Sequence, residues 1–454
     1  MIDVNAIDIP QAWDEWAWMY DGLGRSFDWL WAWRQHNEYR LVLSKLLVWL
    51  LYRFDGWNQV TALRVSYALF FAIPALILVM AWRDSRSSMW ALVPFLIFFF
   101  SNASVESDVT GAMSLVKFLL IFLLLGVLFL FDEKQRWPAL LAGSLCLAMT
   151  TLSSGGGIPG SLGIIAVFGA YKVSRIRAGR PILPELGGLA LPVLSLGAAS
   201  ALWLFAWIRW VNNIQGGLED PTDVTGPFWI GFFNQVAMAV GRDALPSPQM
   251  YSHIPLARSH ASTLIGAGIV VLLLVLLRLD WSKQRANPDS GTWRRIGLAG
   301  AILSVQASIS LGRSSDAAGW SRYFEYALLL LPILVLSGYS ILQGNLRRIY
   351  LASLFVVCLA GYFPHWSDEP YREQGALRRS GVECMQRTLR EGTKNGCMGM
   401  GYNFMLRGIL RAKELDISFY RSHFANLPLP KCVPYVIDTN EPCTPAAGGP
   451  IRRQ

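Results

Sequence analysis

The sequence predicts an all-α polytopic membrane protein with about ten transmembrane helices, interfacial helices in the first external loop and a small external C-terminal domain. Three observations support this prediction: an apolar composition, ten apolar stretches, and an alternation of basic residues between loops. The hydrophobic fraction is 53%, the charged fraction is 16% and the mean hydropathy is +0.35. These values exclude a disordered or water-soluble profile.

The ten apolar stretches lie between Gln59 and Pro364, and most approach the ~20 residues needed to cross a bilayer. Several contain proline or glycine, which neighbouring transmembrane helices tolerate. The predicted spans are 59–82, 88–104, 113–131, 137–152, 157–174, 187–210, 260–279, 296–312, 322–340 and 349–364.

Alternate loops differ in their content of basic residues. One class of loops carries fifteen lysines and arginines, whereas the loops between them carry only Arg242, Arg258, Arg313 and Arg322. Because cationic loops stay in the cytoplasm, residues 1–58 and 365–454 are predicted to lie outside. The net charge of +9 is then explained by topology and anionic lipid headgroups, and nucleic acid is not an expected partner.

The first 58 residues form a predicted external loop rich in tryptophan. They contain eight of the nineteen tryptophans and no signal peptide, so an upstream helix missing from this reading frame is expected, which would give eleven spans. Tryptophan favours the membrane–water boundary. The segment is therefore predicted to form amphipathic helices in the outer interface, among them 41–54, which carries Lys45 and Arg53.

The last 90 residues form a predicted external domain with four cysteines, Cys384, Cys397, Cys432 and Cys443. An oxidising compartment favours two disulfides, and three pairings are open. Local closure, Cys384–Cys397 with Cys432–Cys443, is the first choice. Residues 402–419 are expected to form a helix that packs on the membrane domain, with an accessory role in acceptor recognition or as a lid.

The first candidate site is the acidic and polar part of the N-terminal loop. A carboxylate at a bilayer surface is partly desolvated, and this suits a general base that takes a proton from a hydroxyl. The candidate bases are Asp14, Glu15 and Glu38, and the alternative is that they are solvated charges. The neighbouring candidates for substrate binding are His36, Asn37 and Arg40.

The second candidate site is a short external loop bracketed by Arg313 and Arg322, with Tyr323 beside it. Guanidinium groups suit phosphate oxygens, including those of a lipid-linked phosphate. The alternative is that Arg322 forms a structural salt bridge with Asp316 or Glu325.

A third, weaker candidate is the pair Glu106 and Asp108, which could bind a divalent metal or orient a sugar hydroxyl. A solvated loop is the competing interpretation. No other cofactor is indicated. The chain lacks the phosphate-binding loop, the serine-hydrolase elbow and the zinc-protease motif of soluble enzymes.

The layout resembles the GT-C superfamily of integral-membrane glycosyltransferases. Within it, the chain is similar to bacterial proteins with an Asn-Glu-His-Arg motif in the first external loop, which stands here as Asn37-Glu38-Tyr39-Arg40. The stretch Gly312-Arg313 … Ser321-Arg322-Tyr323 also resembles that group. The resemblance implies about eleven or more spans, a catalytic acid in the first external loop and a polyprenyl-phosphate sugar as donor. Asp14 or Glu15 is the nearest match to that acid.

These features predict a bacterial inner-membrane enzyme with its C-terminus outside. It would transfer a sugar from a polyprenyl-phosphate donor to an envelope glycan or lipid-linked acceptor on the external face. The alternatives are a transporter or flippase of lipid-linked saccharide, and an O-antigen polymerase or ligase. A transporter should place ionisable residues near the bilayer midplane, whereas the predicted spans are almost free of them, with Arg64 and Lys117 as the exceptions.

Overall fold

A computed structural model describes most of the chain, and the described part is helical without a β-strand. A single isolated bridge joins Cys397 and Met400. The described residues are 7–10, 16, 18–19, 23–33, 41–101, 115–210, 228–241, 257–283, 290–312, 324–366, 369–393, 395–397, 400 and 402–429.

A bundle of apolar helices forms the larger part of the described structure, and each of the ten predicted apolar stretches falls on one or more of its helices. Among the described residues, six helical stretches are long and apolar enough to cross a membrane: Gln59–Asp84, Gly157–Arg177, Ile182–Phe205, Ser262–Ser282, Phe324–Ile341 and Gly344–Tyr362. The chain is therefore a multi-pass membrane protein. The bundle helices are α3 (Gln59–Asp84), α4 (Arg86–Leu92), α5 (Leu115–Leu130), α6 (Trp137–Thr151), α7 (Gly157–Arg177), α8 (Ile182–Trp210), α9 (Phe228–Ala237), α10 (Ala257–Lys283), α11 (Ser290–Gly312), α12 (Phe324–Leu328), α13 (Leu330–Ile341) and α14 (Gly344–Tyr362).

Helix α3 defines the two faces of the bundle. It begins where the Asn58 side chain accepts hydrogen bonds from the N–H groups of Val60 and Thr61, as an N-cap residue does. Its 26 residues extend about 39 Å, enough to cross the hydrocarbon core of a bilayer. The Gln59 end and the Asp84 end therefore mark opposite faces.

Two features hold the bundle together. The stretch Phe324–Ile341 is the centre of the bundle: it is 89% buried, and its buried side chains are mostly apolar, with Glu325 as the charged exception. Helices α7 and α11 approach closely at Gly163 and Gly300, where a Cβ on Gly163 would lie 2.5 Å from the Gly300 carbonyl oxygen. Small residues at such crossings allow the backbone contact on which membrane helices depend.

The helical segment that contains Phe228 and Trp229 lies only partly on the surface of the bundle. Its second half, Val236 to Val240, is buried, and Tyr362 Oη donates to the carbonyl oxygens of Met238 and Ala239, each at 3.2 Å. This segment therefore packs into the bundle.

A second hydrophobic core, named here the capping layer, lies at the Gln59 end and combines both ends of the described chain. Its helices are α1 (Trp29–Trp33), α2 (Val42–Asp55), α15 (Glu369–Glu391), α16 (Tyr402–Glu414) and α17 (Ser418–His423). Leu43 N donates to the carbonyl oxygen of Leu152 at 3.3 Å, which seats α2 on the end of α6. The described residues of the two terminal parts share this one core.

The tryptophans of the capping layer correct the prediction of interfacial helices. Trp16, Trp18, Trp31 and Trp57 are at most 1% exposed and belong to the core of the layer, whereas Trp29 is 63% exposed. Lys45, expected on a membrane surface, is buried and donates to the Trp31 carbonyl oxygen at 2.9 Å. A tryptophan-rich segment alone predicts a lipid boundary, because the sequence does not show which other part of the chain covers these side chains.

That partner surface is the C-terminal part of the chain. Helix α16 forms within the predicted 402–419 segment, but its buried residues face the N-terminal tryptophans and the start of α3 more than the bundle. Trp16 packs edge-on against Phe419, with ring centroids 5.3 Å apart. The structure contains a Cys384–Cys397 disulfide between α15 and the segment before α16. Cys432 and Cys443 lie outside the described residues.

The basic residues at the Asp84 end do not all face lipid headgroups or water. Arg294 and Arg295 are buried and both contact the carboxylate of Asp84, and Arg295 also contacts Asp280. These ion pairs join α3, α10 and α11. The loop charges that indicate topology in the sequence thus serve partly as buried connections between helices.

Candidate functional site

The sequence-predicted catalytic and binding residues lie outside the described part of the chain, so their arrangement stays a prediction. They are Asp14, Glu15, His36, Asn37, Glu38, Arg40, Glu106, Asp108, Arg313, Arg322 and Tyr323. Among the described residues, no group of three or more histidines, cysteines, aspartates or glutamates could hold a metal ion.

Two described residues next to these segments, Lys117 and Glu325, form a buried ion pair. Lys117 Nζ lies 3.7 Å from Glu325 Oε1, and the two side chains are 0% and 1% exposed. Lys117 stands near the start of α5, shortly after the loop that carries Glu106 and Asp108. Glu325 stands at the start of α12, directly after the loop of Arg313 and Arg322. The pair therefore joins the two chain segments that leave these loops.

The lysine is held by further contacts. Lys117 Nζ donates to Ser66 Oγ at 2.8 Å, and it lies 5.6 Å from the ring centroid of Tyr67 and 5.5 Å from that of Phe70. Ser66 is seven residues into α3, which places the ammonium about 10 Å below the Gln59 end. A cation at this depth needs partners, because burying an unpaired charge in the bilayer costs free energy. Ionisable residues inside membrane spans are therefore candidates for functional sites.

The Lys117–Glu325 pair could stabilise a negative charge near the capping-layer face. In a site with little water, a fixed ammonium stabilises a developing negative charge far better than it does in bulk water. Glu325 and the aromatic rings keep that ammonium in place before an anion arrives. In the sequence Lys117 stands alone, and Arg322 is the nearer candidate partner of Glu325. The pairing of Lys117 with Glu325 joins two helices that are distant in sequence, α5 and α12, and has no sequence signature.

A second polar group lies where α9 meets α11. Gln235 Nε2 donates to Ser310 Oγ at 3.2 Å, and one turn earlier on α11 Gln306 is fully buried. Neither amide atom of Gln306 has a hydrogen-bond partner among the described residues. A buried amide without partners is costly, and hydroxyl-bearing ligands satisfy such groups.

The capping layer is fixed to the bundle by a carboxylate that the sequence analysis did not single out. Asp8 is 8% exposed and accepts from Gln59 N at 2.9 Å, Ser418 Oγ at 2.6 Å, Ser422 Oγ at 3.2 Å and Asn58 Nδ2 at 3.4 Å. Because its two oxygens accept four hydrogen bonds, from the start of α3 and from α17, Asp8 is a structural anchor.

Comparison of the chain with protein-family models, curated proteins and solved structures finds no match. The function must therefore be argued from the arrangement of the residues.

Proposed function

We propose that the protein is a membrane glycosyltransferase of the GT-C type that takes a sugar from a polyprenyl-phosphate donor. The acceptor is an envelope glycan or lipid-linked saccharide on the external face. The observation that carries the proposal is the buried Lys117–Glu325 pair under the capping layer. The phosphate of a lipid-linked donor lies at the headgroup level, and we propose that it approaches this ammonium, which protein contacts hold in place, from the capping-layer face.

The proposed reaction needs a cation and a base. The acceptor oxygen bonds to the anomeric carbon while the bond from that carbon to the phosphate oxygen breaks, and polyprenyl phosphate leaves with the electron pair. Lys117 stabilises the charge that develops on this leaving group, with Arg40, Arg313 and Arg322 as the proposed further phosphate ligands. The hydroxyl proton passes to a carboxylate, for which Asp14 and Glu15 are proposed and Glu38 competes.

The hydrogen bond between Asp8 and Ser418 supports an even number of membrane spans, in agreement with the predicted ten. Because Asp8 bonds directly to Ser418, the segments before α3 and after α14 lie on one face. The chain must cross the membrane an even number of times between them. The disulfide between Cys384 and Cys397 supports an oxidising compartment, hence the external face of a bacterial inner membrane. Thiol labelling tests this: Glu391→Cys should react from outside and Ser282→Cys only from inside, and the reverse result would overturn the orientation.

A transporter or flippase of lipid-linked saccharide is the second candidate, and the buried charges of Lys117 and Glu325 are the observation in its favour. Their depth argues for the enzyme. Transport sites lie near the bilayer midplane, whereas this pair lies about 10 Å from the end of a helix about 39 Å long. An O-antigen polymerase or ligase would share the external phosphate chemistry and differ in its acceptor.

The deciding experiment uses the full-length protein in liposomes with a labelled polyprenyl-phosphate sugar and a panel of envelope acceptors. Transfer of label to an acceptor is expected, and Lys117→Met should reduce it about 100-fold or more. Lys413→Met, which removes an exposed lysine of the capping layer, is the matched control and should transfer at the wild-type rate. Equal elution profiles on size exclusion exclude misfolding as the cause. Donor translocation without transfer to any acceptor would identify a transporter, and wild-type transfer by Lys117→Met would remove the lysine from the mechanism.

A further inference from the structure

A cavity at the Asp84 end of the bundle is lined entirely by ionisable side chains. Its volume is about 320 Å³, and its lining residues are Arg83, Asp132, Glu133, Lys134, Arg136 and Arg294. It lies at the face opposite the capping layer, because Arg83 stands in the last turn of α3. The cavity is therefore separate from the proposed transfer site.

The cations of this cavity outnumber its acids, and both acids already have neighbours. Glu133 Oε1 accepts from Ser290 Oγ at 3.2 Å, and Asp132 Oδ1 lies 3.9 Å from Arg83 Nη1. The side chains of Lys134 and Arg136 are exposed and make no hydrogen bond or ion pair with the described residues. The cavity thus presents two available cations and a net positive charge, which attracts an anion.

The walls of the cavity are fixed by contacts in the structure. Gln135 stands between the two available cations with a φ of 42°, a left-handed conformation that is uncommon for a residue other than glycine. Its side-chain oxygen accepts a hydrogen bond from Lys172, which holds the turn. Arg294 donates to Asp84 Oδ1 and to the Phe131 carbonyl oxygen. A strained turn held in this way is typical of a ligand clamp.

Exposed tryptophans place the cavity at the headgroup level of a bilayer. Trp82 and Trp137 are 61% and 62% exposed, and each is the direct neighbour of a cavity arginine, Arg83 and Arg136. Exposed tryptophans concentrate at the membrane–water boundary. Basic pockets between helices at that level suit anionic headgroups.

We infer that this cavity binds the phosphate of an anionic phospholipid headgroup. Lys134 and Arg136 pair with the phosphate oxygens, Arg83 and Arg294 complete the positive wall, and the acyl chains lie along the exposed apolar surface beside Trp82 and Trp137. Free phosphate has the same chemistry, but the flanking tryptophans favour a ligand that is anchored in the bilayer. The inference does not depend on the proposed transferase activity.

The test measures lipid retention by native mass spectrometry on full-length protein from micelles with equal amounts of phosphatidylglycerol and phosphatidylcholine. We expect one phosphatidylglycerol molecule retained in preference to phosphatidylcholine, and retention about tenfold lower in Lys134→Ala/Arg136→Ala. The matched control is Arg177→Ala/Arg348→Ala, which removes two exposed cations from the same face outside the cavity and should retain lipid as the wild type does.

A variant that retains more lipid than the wild type cannot be explained by misfolding. Glu133→Gln removes a negative charge from the cavity and keeps an oxygen for Ser290, so it should raise phosphatidylglycerol retention several-fold. Equal retention by wild type and Lys134→Ala/Arg136→Ala would overturn the inference. Release of the lipid by millimolar inorganic phosphate, together with no preference for phosphatidylglycerol, would identify a site for soluble phosphate and would also overturn it.

Discussion

Ser418 donates a hydrogen bond to Asp8 across 2.6 Å, although 410 residues separate the two in the sequence. Asp8 also accepts from the backbone N–H of Gln59, the first residue of α3. One carboxylate therefore connects the N-terminal segment, the C-terminal helices and the membrane domain.

Replacement of Asp8 by alanine should detach the two parts of the capping layer. It removes the acceptor of four hydrogen bonds at a buried position, and each donor left without a partner costs about 1–3 kcal/mol. Limited proteolysis in detergent should show faster cleavage of the capping layer than in wild type. Glu391→Gln, at an exposed position of α15, is the control. Equal cleavage rates for the wild type and Asp8→Ala would show that the anchor is dispensable.

The stability of the capping layer should fall as the pH falls below about 6.5. Burial lowers the pKa of His423 from 6.5, and the nearby Asp8 opposes this with a smaller effect. Because the unfolded chain then binds the proton more readily, the contribution is complete above pH ~6.5 and declines as the pH falls towards the lower folded-state pKa, at no more than about 1.4 kcal/mol per pH unit. Denaturation midpoints across pH 5–8 measure it. His423→Gln should flatten this part of the curve, and an unchanged slope would contradict the assignment.

Loss of the Cys384–Cys397 disulfide should destabilise the capping layer. The bridge closes a loop with a sequence separation of 13, for which a stabilisation of about 3 kcal/mol is typical. Peptide mapping without reductant should find the two cysteine peptides linked. Cys384→Ala/Cys397→Ala should lower the melting temperature of the purified protein. If instead both peptides carry free thiols in protein prepared without reductant, the bridge does not form.

Removal of one member of the Lys117–Glu325 pair should cost more than removal of both. Lys117→Met leaves a buried carboxylate without its cation and should destabilise the bundle by about 3–5 kcal/mol. The double variant Lys117→Met/Glu325→Leu should recover most of that loss, since two apolar side chains suit the site. A double-mutant cycle on unfolding in detergent gives the coupling energy, and additive effects would show that the two charges do not interact.

Asp84 and Asp132 form a matched pair of carboxylates at the opposite face. The Asp84 side chain is 7% exposed and lies between two arginines, whereas the Asp132 side chain is 30% exposed and 3.9 Å from Arg83. Asp84→Ala should therefore cost about 3–5 kcal/mol and Asp132→Ala less than about 1 kcal/mol. Thermal unfolding of the two variants should separate them clearly. Similar losses would mean that burial does not decide the strength of these ion pairs.

The helices of the bundle could be predicted because their signal is local. An apolar stretch such as 59–82 must satisfy its backbone groups within the helix when it enters lipid, and α3 matches that range within a few residues. The central position of Phe324–Ile341 was less visible, because its apolarity resembles that of its neighbours although it is by far the most buried.

The capping layer could not be predicted because its signal is not local. Trp16 and Trp18 resemble interfacial tryptophans until the helices that cover them are known, and those helices lie some 400 residues away. Lys117 resembles a single buried cation until folding brings Glu325 beside it. The proposed ligands in the loops between these elements stay predictions from motif and charge.

The shared core of the capping layer imposes an order on biosynthesis. At 5–20 residues per second, Ser418 leaves the ribosome roughly 20–80 s after Asp8. Throughout that interval Trp16, Trp18, Trp31 and Trp57 lack the C-terminal part of the core in which they are buried. Every helix of the bundle is synthesised before the capping layer can form, so the capping layer forms only on a complete membrane domain. A nascent chain halted midway would expose a cluster of tryptophans, the kind of apolar surface that chaperones and proteases recognise.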